Sequence, residues 1–261
     1  MYLSRFSLEG KVALVTGGSR GMGKATALGF AEAGADVVVT SRKLPDLELV
    51  AEEIRGLGKK SLAVACHVGR VDQIKNLVEK VVGEFGTIDI LVNNAGTSPV
   101  MVNSMDLEER AWDSIMNLNL KGLFFLSQAV GRVMKQHGGG KIINVSSVDA
   151  YKPEYLLGAY TITKAAVVMV TKVLAREWAE YNIRVNCIAP GAVETRLYDS
   201  HWYNVSEEQM NKEKAEIAKR IPVGHIGQPD EIVGAMIYLA SDASSYVTGE
   251  TFLLDGGSLL V

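Results

Sequence analysis

Residues 11–30, KVALVTGGSRGMGKATALGF, carry the strongest signal for the fold. The stretch opens with a run of apolar and β-branched side chains, typical of a buried strand, and residues 22–33 then repeat apolar positions at three and four, typical of a helix. Between them, Gly17, Gly21 and Gly23 form the pattern Gly-x-x-x-Gly-x-Gly. Glycines at such a junction let backbone N–H groups approach a pyrophosphate at the positive end of the helix. The stretch therefore predicts a dinucleotide-binding unit, against the alternative of an ordinary glycine turn.

The alternation of strands and helices continues along the chain. Short apolar runs predict strands at 11–16, 36–40, 61–68, 88–94, 141–147, 183–189 and 251–255. Helical periodicity lies between them at 22–33, 46–57, 71–85, 107–136 and 159–181. Strands that alternate with helices predict a parallel sheet covered on both faces. We therefore expect an α/β fold in which residues 1–261 form a single doubly wound Rossmann-like domain with a seven-stranded parallel sheet.

Composition excludes several classes of protein. Of the 261 residues, 48% are hydrophobic and 22% are charged, with a formal net charge of -3, so the chain can bury a core and has no basic excess for nucleic acid. No run of 18 apolar residues predicts a membrane span, and no signal peptide is evident. Cys66 and Cys187 lie in apolar runs, which predicts buried free thiols and a cytoplasmic location. The four histidines show no metal-ligand spacing, so no metal site is expected.

Polar and glycine-rich clusters follow almost every predicted strand. They are TGGSRGMG (16–23), SRK (41–43), CHV (66–68), NNAG (93–96), SS (146–147) and PGAVET (190–195). Ligands of an open parallel sheet bind outside the carboxyl ends of its strands. We therefore expect the clusters to form one site, and this clustering is more specific than any single motif.

The motifs together resemble the short-chain dehydrogenase/reductase family. The resemblance covers essentially the whole chain and rests on TGGSRGMG, NNAG, Ser147 thirteen positions before Tyr160, YTITK (160–164), PG (190–191) and DGG (255–257), in the family's order. It implies an NAD(P)-dependent oxidoreductase that interconverts a ketone and a secondary alcohol. A non-catalytic coenzyme sensor on this fold usually lacks the Tyr or the Lys, and a methyltransferase would have no use for YTITK.

Tyr160 and Lys164 lie one turn apart on a predicted helix. A Tyr with a pKa of about 10 is a poor acid–base at neutral pH, and a nearby ammonium favours its phenolate, by roughly 3–4 kcal/mol for a drop of 2–3 units. The resemblance implies that Tyr160 donates the proton in reduction, that Ser147 hydrogen-bonds the substrate oxygen, and that Lys164 lowers the Tyr pKa and holds the nicotinamide ribose. It also implies that Asn119 anchors a water in the proton relay, although a helix Asn that points to solvent is the alternative. Ser146 is a rival to Ser147 that would face the other side of an extended strand.

The predicted coenzyme-binding residues lie along the same edge. They are Gly17, Ser19, Arg20, Gly21, Met22, Gly23, Ser41, Arg42, His67, Val68, Asn94, Ala95, Gly96, Tyr160, Lys164, Pro190, Gly191, Val193 and Thr195. By resemblance, NNAG packs beside the adenine ribose, and Val193 and Thr195 bind the carboxamide. His67 departs from the family, which usually has an acidic residue there. It either substitutes for that contact with adenine or has no coenzyme role.

The coenzyme predicted is NADP(H), with NAD(H) disfavoured. An NAD-binding domain usually places an acid about 20 positions after the glycines, whereas residues 40–43 read TSRK and the next acid is Asp46. Arg42 would pair with a 2′-phosphate through charge-assisted bonds, and Ser41 adds a hydroxyl. Arg20 would approach from the other side, as basic residues do in NADP-dependent relatives. The alternative is that both arginines are ordinary surface cations.

The substrate is less constrained by the sequence. In relatives an insert at about 193–222, called the lid below, closes over the substrate. The lid contains a cluster of aromatic side chains, Tyr198, His201, Trp202 and Tyr203. This cluster could face the substrate, or it could equally serve internal packing or a subunit contact. The loop after the fifth strand forms the other wall, with Tyr151, Glu154 and Leu156 as candidates.

We expect the substrate to be a small-molecule ketone or alcohol, which could be a sugar, a polyol, an alicyclic ketone or a general ketone. A 3-oxoacyl group on acyl carrier protein is the alternative. Relatives with that activity tend to carry arginines where this chain has Gln136 and Tyr181, which disfavours it.

We also expect a homotetramer, because relatives pair their two long helices and their last strands, and residues 165–175 (AAVVMVTKVLA) are apolar almost all round.

Overall fold

One parallel sheet of seven strands forms the centre of the protein, in the order β3-β2-β1-β4-β5-β6-β7. A computed structural model describes residues 2–199, 202 and 205–261. The strands are β1 (Val12–Thr16), β2 (Asp36–Ser41), β3 (Ser61–Ala65), β4 (Ile90–Asn93), β5 (Gly140–Val145), β6 (Ile183–Pro190) and β7 (Thr251–Leu254). The strand order reverses between β1 and β4, the point where doubly wound sheets bind ligands. The predicted fold and sheet are confirmed, with strand ends that differ from the prediction by a few residues.

Helices connect the strands. The α-helices are α1 (Gly21–Glu32), α2 (Leu44–Gly56), α3 (Val71–Phe85), α4 (Glu109–Met116), α5 (Leu123–Gln136), α6 (Gly158–Trp178), α7 (Arg196–Asp199), α8 (Glu207–Arg220) and α9 (Val233–Ala240). Short 3-10 turns lie at Leu3–Phe6, Val148–Ala150, Ala179–Tyr181, Pro229–Ile232, Asp242–Ser244 and Ser258–Leu260. The helices cover both faces of the sheet, as the alternation predicted.

Each face of the sheet has its own hydrophobic core. Ala13 and Val15 of β1 pack with apolar residues of α1, α2 and α9. Val12 and Leu14, which alternate with them, pack with α3, α5 and α6 on the opposite face. Every residue of β1 is therefore buried, which explains why the strand reads as a continuous apolar run. The free thiols of Cys66 and Cys187 are also buried, as predicted, and burial raises the pKa of each to about 11.

The helix predicted at 107–136 is wrong in one respect, because it is interrupted. A π-helical turn at Asn117–Gly122 separates α4 from α5. Such a turn shifts the helical period by a single residue, so an apolar repeat that continues on both sides does not reveal it. Turns of this kind occur frequently at functional sites, and this one carries Asn119.

Helix α6 and the turn after it, Gly158–Tyr181, have the length and composition of a membrane-spanning helix, with a hydropathy of 1.3. The sequence contains no continuous apolar run of that length, because Lys164 and several threonines interrupt it. The core helix of a soluble protein meets the same criterion. Here the buried positions of α6 include Thr163, Lys164 and Thr171, and its Lys164 ammonium bonds to the sheet.

Candidate active site and coenzyme site

A cavity of about 1290 Å³ lies along the carboxyl ends of the strands. Its lining includes every residue predicted to bind the coenzyme, together with Ser147. These residues come from loops after β1, β2, β3, β4, β5 and β6 and from the start of α6. The predicted clusters therefore share one cavity, because the carboxyl ends of parallel strands meet at one edge. Of the residues predicted to act in catalysis or to bind the coenzyme, all of which the structure describes, Asn119 alone does not line it.

The glycine loop is shaped to accept an anion. Gly17 has a φ of +66°, a left-handed conformation that favours glycine. A Cβ on Gly23 would collide with the carbonyl oxygen of Gly17, so only glycine lets the loop close this tightly. Helix α1 begins at Gly21 with no side-chain cap at Arg20. Its first backbone N–H groups and the positive end of its dipole are therefore suited to a pyrophosphate, and the residues present fit a dinucleotide.

Thr16 fastens the glycine loop to the loop after β4. Its Oγ1 accepts hydrogen bonds from the backbone N–H groups of Asn94 and Ala95, both at 3.0 Å, and donates to the Val92 carbonyl at 3.1 Å. The Asn94 side chain returns a bond to the Thr16 carbonyl at 2.8 Å. Thr16 was not among the residues predicted for the site. Its place as the first letter of TGGSRGMG was the available signal.

A buried chain of polar side chains supports the site from below. The Asn93 Nδ2 donates to Ser127 Oγ at 2.8 Å and to Asn144 Oδ1 at 2.9 Å, and Asn144 Nδ2 donates to Thr171 Oγ1 at 2.9 Å. All four residues are buried. The chain links β4, β5, α5 and α6, and a fully bonded buried network makes such a junction rigid. The sequence gives no pattern for this chain of bonds, because its members are scattered over nearly 80 positions.

Ser147, Tyr160 and Lys164 meet where β5 and α6 approach each other. Ser147 caps the turn after β5, where its Oγ accepts from the Asp149 N–H at 3.1 Å, and it is hydrogen-bonded to Tyr160. Lys164 is only 4% exposed and its Nζ donates to the Val145 carbonyl at 2.8 Å, 5.4 Å from the Tyr160 ring centroid. The rival Ser146 instead donates to the Lys164 carbonyl at 2.7 Å. The geometry thus separates the two serines and brings Ser147 to the Tyr.

The pKa values of the pair run against the prediction that Lys164 lowers the pKa of Tyr160. Burial and, to a smaller extent, the Asp149 carboxylate raise the pKa of Tyr160, while its hydrogen bond with Ser147 lowers it. Burial also lowers the pKa of Lys164 to about 8. The physical reason is that both groups share one poorly solvated pocket, which disfavours the phenolate and the ammonium alike. In the protein alone, Tyr160 is therefore a protonated phenol, the form that donates a proton.

Asn119 does not point to solvent. It is 1% exposed, and its amide forms a pair of bonds with the Thr97 backbone, accepting from N at 2.8 Å and donating to O at 2.9 Å. A Cβ on Gly96 would lie 3.6 Å from Asn119 Oδ1 and 3.7 Å from Lys164 Nζ. Asn119 and Lys164 therefore approach Gly96 from two sides. The role of Asn119 in a proton relay stays a prediction.

Basic side chains gather at the other end of the cavity. Arg20 and Arg42 are exposed, line the cavity, and form no ion pair with any carboxylate in the described part of the chain. His67 lies near Arg42. Burial first and the Arg42 guanidinium second lower the His67 pKa. Its Nδ1 accepts from the Gly69 N–H at 3.2 Å, which places the proton of the neutral ring on Nε2. His67 thus presents a donor, where the family's acidic residue presents an acceptor.

The lid and the loop after β5 form the remaining walls. Tyr198 and Trp202 line the cavity and pack edge to face with ring centroids 4.9 Å apart. The other predicted lid aromatics, His201 and Tyr203, lie outside the described residues. In the opposite wall, Glu154 lines the cavity as predicted.

Two candidates for that wall were wrong. Tyr151 and Leu156 do not line the cavity, and Lys152 and Leu157 do. The chain is left-handed at Leu156, with a φ of +65°, and the next residue, Leu157, is buried. A one-residue displacement of this kind is not visible in the sequence.

Within the described residues, no group of three or more His, Cys, Asp or Glu side chains is arranged to hold a metal.

Known proteins are similar to this chain over its whole length. The family described as enoyl-(acyl carrier protein) reductase matches residues 17–258. The 2-dehydro-3-deoxy-D-gluconate 5-dehydrogenase of Escherichia coli is 42% identical and covers 99% of both chains. The 3-oxoacyl-(acyl-carrier-protein) reductase of Thermotoga maritima is 41% identical, over 97% of this chain and 99% of the relative. The crystal structure of a gluconate 5-dehydrogenase from Burkholderia cenocepacia, in complex with NADP and tartrate, has a TM-score of 0.92, 37% identity and full coverage of both chains.

These similarities agree with the geometry of the site. The cavity joins a dinucleotide loop to a Ser, Tyr and Lys group, and the similar proteins are oxidoreductases that act on CH–OH groups or the corresponding ketones. This chain is therefore an oxidoreductase that uses an NAD(P) coenzyme, and it belongs to the short-chain dehydrogenase/reductase family.

Proposed function

We propose that the protein is an NADP(H)-dependent oxidoreductase that interconverts a ketone and a secondary alcohol on a sugar-like substrate. One observation carries the proposal: a single cavity joins arginines that have no ion pair within the described residues, at one end, to the Ser147, Tyr160 and Lys164 group at the other. When bound, the nicotinamide supplies or accepts the hydride. The protein's own residues must then position the carbonyl and move one proton.

Tyr160 gives the substrate oxygen its proton in reduction. Its raised pKa keeps the phenol protonated at neutral pH, and it lines the cavity. Ser147 accepts a bond from the Asp149 N–H. Its single O–H proton, which bonds to Tyr160 in the protein alone, would turn to orient the carbonyl oxygen. Lys164 would compensate the charge that develops on Tyr160 as the proton leaves. Asn119, held against Gly96 and near Lys164, would position the water that restores the proton.

NADP(H) is favoured over NAD(H) by charge. Arg20, Arg42 and Lys43 all line the same end of the cavity, where Ser41 ends β2. Asp46 lies there as well, beyond the position where an NAD-binding domain places its acid. A 2′-phosphate would pair with the guanidinium groups through charge-assisted bonds. The NADP-bound structure of a similar gluconate 5-dehydrogenase supports this choice.

The substrate class comes from two relatives. One acts on 2-dehydro-3-deoxy-D-gluconate and the other is a gluconate 5-dehydrogenase, so a polyhydroxy acid or a related sugar is our first choice. The test is a panel of sugar acids, ketoses, alicyclic ketones and 3-oxoacyl thioesters, followed at the absorbance of the reduced coenzyme with NADPH and with NADH. Turnover of the sugar-type carbonyls with NADPH is expected. Turnover restricted to 3-oxoacyl thioesters would overturn the proposal.

Reduction of 3-oxoacyl groups on a carrier protein is the second candidate. The Thermotoga maritima relative favours it. Gln136 and Tyr181 supply no positive charge, but the Lys135 Nζ lies 3.7 Å above the Tyr181 ring centroid. A cation is therefore present where an acidic carrier would dock, which the two predicted positions did not reveal. A salt-sensitive preference for one 3-oxoacyl group on the carrier over the same group on a small thioester would establish this candidate.

A homotetramer and a cytoplasmic location complete the proposal. Helix α6 leaves Ile162, Met169 and Val173 between 41% and 57% exposed, as expected of a face that pairs with another copy. Light scattering at micromolar concentration should find four chains, and a monomer would contradict the assembly.

A further inference from the structure

Helix α8 of the lid is held in an unusual way. None of its 14 residues is buried, so no hydrophobic core fixes its position. Ile217 and Arg220 nevertheless line the cavity, which makes the helix part of the substrate wall. Polar contacts must therefore decide where it lies.

Lys214 provides the strongest of these contacts. Its Nζ lies 2.7 Å from Glu194 Oε2 and 2.6 Å from Asp199 Oδ1, and its side chain is 13% exposed. Both carboxylates belong to the segment 193–199 that follows β6. Trp202, whose Nε1 donates to Glu213 Oε2 at 2.5 Å, adds a second polar link to α8. A partly desolvated ammonium between two carboxylates is held more strongly than an exposed pair.

The segment 193–199 also touches the coenzyme loop. A Cβ on Gly21 would lie 3.3 Å from Thr195 Cγ2, so Thr195 faces the start of α1. The Thr195 hydroxyl accepts from the Tyr198 N–H at 3.2 Å, and its carbonyl accepts from the Asp199 N–H at 2.8 Å. Thr195 therefore organises the short turn that presents Asp199 to Lys214. The hydroxyl keeps its own proton to donate to a coenzyme atom.

We propose that Lys214 is a positioning residue that couples coenzyme occupancy to the placement of α8. A coenzyme that bonds to Thr195 fixes the turn at 196–199, and the turn fixes Glu194 and Asp199 around Lys214. The ammonium then holds α8, and with it Ile217 and Arg220, against the substrate. We call the contacts of Lys214 with Glu194 and Asp199 the latch. Because coupling is reciprocal, loss of the latch weakens coenzyme binding by the same coupling free energy. The inference rests on the proposed coenzyme site but not on the identity of the substrate.

Hydrogen exchange of the α8 amides, with and without NADP+ alone, tests the latch. In the wild type, NADP+ should slow exchange across Glu207–Arg220 by about tenfold. Lys214→Met should abolish that effect while the central strands stay protected, because α8 has no buried residues to lose. Lys214→Arg should restore it, since a guanidinium can bond to both carboxylates. Glu194→Gln, which keeps the lysine, should give an intermediate effect.

Lys219→Met is the matched control. Lys219 lies on the same helix, and among the described residues it pairs with Glu216 of that helix alone, at 2.7 Å, so this variant should behave as the wild type. Protection of α8 by NADP+ in Lys214→Met would overturn the proposal. Loss of protection from hydrogen exchange throughout the Lys214→Met protein would also overturn the proposal, because Lys214 would then stabilise the whole fold. If NADP+ protects α1 in the wild type but leaves α8 unchanged, the latch fails and the coenzyme site stands.

Discussion

Two walls of the same cavity are held in place by different interactions, one by buried hydrogen bonds and the other by polar contacts near the surface. The floor, which comprises Asn93–Gly96, Ser147, Tyr160 and Lys164, rests on strand ends and on a buried chain of bonded amides and hydroxyls. The lid presents α8, which has no buried residue and depends on Lys214 and Glu213. The floor is rigid because its polar groups are desolvated and paired. Because α8 has no buried residue to lose, we expect changes in the lid to affect folding less than changes in the floor.

The largest expected effect tests the chemistry of the floor. Tyr160→Phe should lower kcat by about 10³-fold or more, since positioned proton transfer contributes 10²–10⁴-fold, and leave the Kd for NADPH within about twofold. Tyr155→Phe is the control, because Tyr155 is 73% exposed. Steady-state kinetics and NADPH fluorescence measure both. A Tyr160→Phe enzyme with half its activity would remove Tyr160 from the mechanism.

The second effect compares the stability of the two walls. Asn93→Ala removes the donor that bonds to Ser127 Oγ and to the buried Asn144 Oδ1, and it should lower the free energy of unfolding by about 2–4 kcal/mol. Gln209→Ala removes an exposed contact within α8, from Gln209 Nε2 to Glu213 Oε1. This variant should change the free energy of unfolding by less than about 0.5 kcal/mol. Urea denaturation of both variants measures the difference. Equal losses would mean that the two walls are not distinct.

A smaller effect concerns the coenzyme end of the floor. Arg42→Ala should weaken NADPH binding about tenfold, because a charge-assisted bond contributes roughly 1.5–3 kcal/mol. Ser41→Asp combined with Arg42→Ala should shift preference to NADH. The ratio of kcat/KM for the two coenzymes measures this. A wild type that already favours NADH would show that Arg20 and Arg42 are surface cations.

The smallest effect follows from the pKa of Lys164. Its folded value, about 8, lies below the ordinary value of 10.5, so the unfolded chain binds more protons between these values. The contribution of Lys164 to stability therefore rises as the pH rises through that window. Relative to Lys164→Met, the wild type should gain roughly 1 kcal/mol between pH 7 and pH 9. Urea denaturation at the two pH values should show the gain. A difference that does not change with pH would mean that the Lys164 ammonium is well solvated.

The fold, and which residues form the floor, could be predicted from the residues alone. A continuous apolar run such as β1 must be buried on both faces, and the carboxyl ends of parallel strands must share an edge. These two constraints are local or topological, so KVALVT, TGGSRGMG and NNAG were sufficient to predict one site. The spacing of Ser147, Tyr160 and Lys164 added the candidate chemistry by resemblance to a family.

How these groups interact depends on contacts that arise when the chain folds. The π-helical turn that buries Asn119, the displacement from Leu156 to Leu157 and the buried chain from Asn93 to Thr171 each depend on contacts between distant segments. The pKa of Tyr160 moved opposite to expectation because spacing shows a neighbouring charge but not the desolvation that acts on both groups. Lys214 reads as one more charge on a polar helix until the fold places Glu194 and Asp199 around it, 20 and 15 positions away.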